Sequence, residues 1–192
     1  ARCAKAKFTP LQAIYGAVGA QEALKAASGL YNPVKQFLLY DCDEILPGAH
    51  ELKSKETGKV SGMSYILGKK LSKKLSSQKV FVVGSGAIGC ELLKNYSMLG
   101  IGTGTEGHIV ITDPDVIEVS NLNRQFLFRE KHLRKPKSST AAAAAIQMNH
   151  KLQGHISARL DKIHDGTADI YSEHFYSEQT IVTNALDNVQ AR

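Results

Sequence analysis

No run in the sequence approaches the ~20 apolar residues that a bilayer-spanning helix needs, so a membrane protein of helical type is not expected. The opening stretch, ARCAKAKFTP, is basic but has neither a continuous apolar h-region nor a cleavage site, so it does not read as a secretory signal. Cysteine is scarce: Cys3, Cys42 and Cys90 are odd in number and far apart, with no Cys-x-x-Cys pair and only scattered histidines. That pattern argues against a zinc site and favours reduced thiols in a cytoplasmic or nuclear protein. Aromatics are sparse where the positive charge is dense. The net charge of +6 comes largely from residues 69–79 and 129–137, which carry little aromatic interleaving. Solvated faces and phosphate contacts therefore explain the charge better than a nucleic-acid partner does.

What remains is the composition of an ordinary globular chain, 43% hydrophobic and 22% charged over 192 residues. That length suits one large domain or one and a fraction. Thr9-Pro10 followed by LQAIYGAVGAQEALKAASG predicts a helix, capped by Thr9 and stopped at Gly29. VKQFLLYD (34–41) reads as a buried strand, although this helix and strand cannot bury themselves. Residues 47–78 are rich in Lys, Ser and Gly and read as a connector with a helix from about Tyr65 to Leu75. From Lys79 onward strands and helices alternate. Strands are expected at 79–83, 108–113, 155–160 and 180–185, and helices at 88–99, 139–149 and near 169–175. Such alternation predicts an α/β fold, a doubly wound Rossmann-like parallel sheet. The last strand falls just before the sequence stops, which reads as a sheet cut short.

In open sheets of this kind, ligands bind beyond the carboxyl ends of the strands. After the first strand the glycines fall as Gly84-x-Gly86-x-x-Gly89 and open a helix, so backbone N–H groups can approach anionic oxygens. The second strand ends in Asp113, where a carboxylate can accept from ribose hydroxyls. Up to this point an NAD-dependent oxidoreductase fits as well as any other nucleotide binder. The next stretch, TDPDVIEVSNLNRQFLF, adds Asn121, Arg124 and Gln125, donors that suit a nucleotide triphosphate better than hydride chemistry. Lys137 stands before Ser138-Ser139-Thr140 as a point charge for a phosphate. Asp187, in NALDN, is a candidate for holding Mg²⁺ alongside substrate phosphates, and equally a candidate helix cap.

GSGAIGCELLKN, TDPDVIEVSNLNRQFLF, PKSSTAAAAA and NALDNVQAR together resemble the active adenylation repeat of the ubiquitin-activating enzymes, a ThiF/MoeB-like domain. The bacterial molybdopterin- and thiamine-biosynthesis adenylyltransferases share a looser form of the pattern. The resemblance covers about residues 79–192, and residues 9–46 resemble the tail of those enzymes' first, inactive repeat. It divides the chain into residues 1–46, a connector at 47–78, and the ATP-binding part of the active repeat at 79–192. It implies ATP and Mg²⁺ as ligands, with backbone contact at Gly84, Gly86, Ala87 and Gly89 and the ribose on Asp113. Asn121, Arg124, Gln125 and Lys137 would hold the triphosphate, with Asn184 and Ala185 beside it and Mg²⁺ on Asp187. Arg124 and Lys137 would carry the catalytic charge screening. The implied partners are ubiquitin or a close relative and, through domains outside this chain, ubiquitin-conjugating enzymes. A catalytically dead repeat acting as a scaffold is the alternative that loss of the Arg and Lys would have favoured.

There are two departures from the pattern. Where the family carries an Arg-Tyr-x-x-Gln segment, this sequence has KVSGMSYILG (59–68). The family's catalytic cysteine also has no counterpart by position in Cys3, Cys42 or Cys90. Cys90 lies in a first helical turn, where a thiol pKa can be lowered, but a packing role is expected of it.

Overall fold

The computed structural model describes residues 8–42, 44 and 62–186. It separates into two compact units, residues 1–72 and 73–192.

In the first unit, α1 (Thr9–Ser28) holds Pro10 in its first turn and ends at Gly29, whose φ of 67° closes the helix with an N–H bond to the Lys25 carbonyl. Thr9 does not cap it. The N-cap is Phe8, and Thr9 is already helical. The strand expected at 34–41 is absent. An apolar run becomes a strand only when a neighbouring strand takes its backbone groups, and no described strand pairs with this one. The Val34 N–H goes instead to the Glu22 carboxylate at 2.9 Å, and the Tyr40 N–H to the Tyr15 hydroxyl at 3.1 Å. Phe37 and Leu39 are left 83% and 92% exposed. The connector helix exists as α2 (Gly62–Ser76), which starts earlier than expected, kinks at Gly68 (φ 75°, ψ 165°) and contains the division between the units after Ser72. Residues 45–61 lie outside the described residues.

Among the described residues, the second unit is an α/β layer with four strands, β1 (Lys79–Val83), β2 (His108–Thr112), β3 (Ile156–Arg159) and β4 (Ile181–Asn184). All pairings are parallel and the order is β3-β2-β1-β4, so the expected doubly wound sheet is the one observed. The chain steps outward from β1 to β3 and returns to the other side of β1 for β4. This places a topological switch point at the carboxyl end of β1. β1 and β2 are buried at four of five positions each, Lys79 and His108 at their starts being the half-buried ones, as the apolar stretches within KVFVV and HIVIT require of central strands.

α3 (Ala87–Leu99) and α4 (Lys137–Met148) belong to one core, around Val82, Leu93, Ile109, Ile111 and Ala141. The opposite sheet face packs an aromatic group: Phe81 stacks on Tyr171 at 5.3 Å and meets Phe175 edge-on at 4.9 Å. Phe175 lies on α5 (Glu173–Ser177), a shorter and later helix than the sequence suggested. A 3-10 turn at Asp165–Thr167 takes up the preceding chain.

At the strand end away from the switch point, His108 Nε2 meets Ser157 Oγ at 2.9 Å. Burial, with His155 and Lys79 nearby, pushes the His108 pKa below its usual 6.5. The folded state then binds fewer protons than the unfolded state as pH falls below about 6.5, so stability present above that pH is lost going down. Urea midpoints are expected to drop between about pH 7.5 and about pH 5.5, and His108→Asn to flatten the drop.

Candidate functional site

β1 hands its chain directly to the glycine turn. The Gly84 N–H bonds the Thr112 carbonyl at 2.8 Å, which fixes the turn to the end of β2, and its φ of 97° is one that other residues rarely adopt. Gly89 serves the packing beneath: a Cβ there would lie 2.2 Å from the Gly84 carbonyl oxygen. α3 therefore starts hard against the turn. Its N-terminus opens at Gly86 and Ala87 into a cleft of ≈ 960 Å³ at the switch point.

The cleft gathers Gly84, Gly86, Ala87, Asp113, Asn121, Arg124, Gln125, Lys137 and Ala185 from four separate segments. Of the expected residues, Gly89 lies under the turn, Asn184 is an exposed member of the β4 ladder, and neither lines the cleft. Asp187 lies outside the described residues.

Asp113 is buried and held on three sides. Its Oδ2 accepts from the Ser85 N–H (2.7 Å) and hydroxyl (3.0 Å), and its Oδ1 from the Asp115 N–H (2.9 Å). A carboxylate has about four acceptor sites, so one remains for a ligand hydroxyl. A 3-10 turn at Val119–Asn121 aligns the next donors. Asn121 is buried and spends its Oδ1 on the Glu118 N–H at 3.0 Å. Arg124 is exposed, and its Nη1 is anchored on the Ser120 carbonyl at 2.7 Å and on Asn123 Oδ1 at 3.2 Å. That anchor leaves the guanidinium's other donors for a ligand. Gln125 is 3% exposed, and its Oε1 is buried with no hydrogen-bond partner among the described residues. A buried acceptor left unmade costs free energy on the order of 1–3 kcal/mol, which a ligand donor would recover.

Lys137 opens α4, with its backbone N–H on the Asp115 carbonyl at 2.9 Å. Its ammonium pairs with Asp115 Oδ2 at 2.8 Å, the lysine side chain only 10% exposed and the aspartate 64%. Asp115 was not singled out in the sequence, although it is the second carboxylate of the Asp-Pro-Asp step. Asp161, Lys162 and Ile163, from the loop after β3, also line the cleft and carried no motif. The lining thus holds four carboxylates (Asp113, Asp115, Glu118, Asp161) against three cations (Arg124, Lys137, Lys162).

Cys90 is fully buried, with its Sγ 3.6 Å from the Ser85 carbonyl oxygen. Burial pushes its pKa up to about 11, the reverse of the shift that a helix N-terminus alone would give, so it packs rather than reacts.

The family model described as ThiF family matches residues 60–192. The chain is 50% identical over 186 residues to "Ubiquitin-activating enzyme E1 1" of Candida albicans, covering 94% of this chain and 18% of that protein. It is 46% identical over 189 residues to mouse "Ubiquitin-like modifier-activating enzyme 6", covering 95% of this chain and 18% of that protein. The chain therefore spans about a fifth of the length of these relatives. Among solved structures, E. coli tRNA N6-threonylcarbamoyladenosine dehydratase superimposes with a TM-score of 0.59 at 22% identity, over 68% of this chain and 50% of that one. That likeness concerns the fold.

Proposed function

The chain belongs to the ThiF family, and on that premise we propose that its cleft is the ATP side of an adenylation site. The carboxylate it activates is the C-terminus of ubiquitin or a close ubiquitin-like protein. Residues 79–192 are the nucleotide-binding part of the active repeat, 47–78 a connector and 1–46 the tail of an inactive one. Support for that division comes from likeness to ubiquitin-activating enzymes along nearly the whole chain.

The observation that carries the reading is the convergence of Arg124 and Lys137 on a glycine turn that also exposes a helix N-terminus. The turn and the start of α3 receive phosphate oxygens on backbone N–H groups. Asp113 takes a ribose hydroxyl on its remaining acceptor site. Asn121 and Gln125 fix the nucleotide laterally, and Ala185 closes the side nearest β4. A carboxylate attacking an α-phosphate brings two anions together. Arg124 and Lys137 lower that barrier by charge placed in advance, with no covalent protein nucleophile needed. The new bond joins the carboxylate oxygen to the α-phosphorus, and pyrophosphate leaves with the electrons of the bond that breaks. Capture of the acyl group falls to a cysteine elsewhere in a longer protein, in the cytoplasm or nucleus, from which it passes to a conjugating enzyme.

The cleft's excess of carboxylates over cations supports a metal-chelated nucleotide over a bare one. Mg²⁺, held by one or two carboxylates and the phosphates, would supply further charge neutralisation. Asp187 is the proposed ligand on the strength of the resemblance. Ubiquitin-dependent ATP–pyrophosphate exchange tests the function in a longer protein containing this chain. Exchange is expected with Mg²⁺ and is expected to vanish with EDTA. Exchange that ignores either ubiquitin or the metal would overturn the corresponding half of the proposal.

A further inference from the structure

The basic stretch 129–137 is only partly used by the nucleotide cleft, since Lys137 alone enters it. The rest borders a second groove of ≈ 720 Å³, shared with one flank of α4. Its apolar lining includes Phe126, Ala144 and Met148, its cations are Arg129, Lys131 and Lys135 with His132 beside them, and no carboxylate lines it among the described residues. Arg129, Lys131 and Lys135 form no ion pair among the described residues, unlike Lys137, which pairs with Asp115. Glu130 lies in the same turn but does not line the groove.

This surface is built rather than loose. Arg129 Nη1 donates to the Phe126 carbonyl and, at 2.7 Å, to the Phe128 carbonyl, so the guanidinium is held without a carboxylate and its other donors stay open. The loop is tied to the segment after β2 through the Ile117 N–H to the Lys135 carbonyl and the Arg134 N–H to the Ile117 carbonyl, both 2.9 Å. Arg134 takes a left-handed φ of 67° to make that turn. Cations held in place lose less freedom on pairing, which favours binding.

We propose that this groove docks an acidic peptide segment of a separate protein, anchored by an apolar side chain. The partner's carboxylates pair with Arg129, Lys131 and Lys135, and its anchor rests on Ala144 and Met148. Charge complementarity selects the acid, because three neighbouring cations, Arg129, Lys131 and Lys135, face no carboxylate among the described residues that line the groove. The field is felt within the protein: burial, and then Lys131, Lys135 and Arg129, pull the His132 pKa down. The apolar lining selects a peptide over a nucleic acid. Base binding uses aromatic platforms, and the lone aromatic in the lining, Phe126, already has the Lys94 ammonium 5.4 Å from its ring centroid. This assignment is independent of the nucleotide site.

The test is an amide-shift titration of the isotope-labelled chain with a short synthetic peptide of glutamate, leucine and phenylalanine. Shifts are expected across residues 126–148. Binding should weaken about tenfold or more when glutamine replaces the peptide's glutamates, and likewise in the double variant Lys131→Glu, Lys135→Glu. Met148→Gln should weaken it several-fold, which bulk charge attraction alone would not produce. Thermal melts of each variant verify that the fold is kept. The proposal is overturned by any of four results: no binding at millimolar peptide, shifts confined to other surfaces, tighter binding of a single-stranded oligonucleotide in the same groove, or the same shifts on concentrating the chain alone.

Discussion

Lys137→Ala is expected to lower ubiquitin-dependent ATP–pyrophosphate exchange about 100-fold or more, and Arg124→Ala by a similar factor. The two residues reach the same cleft by different routes. Lys137 is the first residue of α4, largely shielded from water, with Asp115 at 2.8 Å as its partner. In the proposed site, an incoming phosphate would compete with Asp115 for an ammonium that is already in position. Arg124 is exposed but fixed at one nitrogen by the Ser120 carbonyl, so its remaining donors face a ligand without a search through rotamers. In the proposed reaction, removing either would leave negative charge uncompensated where carboxylate and phosphate meet. Because the Lys137–Asp115 pair also ties α4 to the segment after β2, thermal melts should accompany the rates. A loss of exchange with an unchanged melt belongs to the chemistry. Undiminished exchange in both variants would remove these residues from the site.

Gly89→Ala is expected to destabilise the second unit by about 3 kcal/mol or more, and to abolish nucleotide binding with it. The added Cβ would sit 2.2 Å from the Gly84 carbonyl oxygen and 3.0 Å from its carbon. Both are backbone atoms in a turn that hydrogen-bonds to β2, so neither can swing aside. Gly86→Ala is the control. Its Cβ would find only Gln125 Nε2, at an ordinary 3.9 Å, so the fold should survive. Urea denaturation of the two variants separates these outcomes, and a Gly89→Ala protein as stable as the parent would show that α3 does not start hard against the turn.

The central strands were legible because the sheet buries both of their faces. KVFVV and HIVIT are polar only at their ends, at Lys79, His108 and Thr112, and β1 runs over the residues the pattern implies. The same signal misled at 34–41. VKQFLLYD has strand composition, but hydrogen bonding to a neighbour makes a strand, and no described strand lies beside it. α5 was misplaced because its start depends on Ser172, which caps it by accepting from the Phe175 N–H, a local bond weaker in sequence than any periodicity. At the site, the residues found from sequence are those with a motif or a strand end to announce them. Asp115 announced itself only as an Asp-x-Asp spacing, and its value as the Lys137 partner appears when α4 folds back across 22 residues. Asp161, Lys162 and Ile163 reach the cleft because β3 pairs with β2 in register, a long-range fact with no local mark.

The most direct measurement is an amide-shift titration of the chain with Mg·ATP and, separately, with NAD. Saturable shifts at Gly84, Gly86, Ala87 and Lys137 with Mg·ATP, and much weaker ones with NAD, are the predicted result. Tight binding of NAD at those amides, with Mg·ATP leaving them unmoved, would contradict the assignment of the cleft to adenylation.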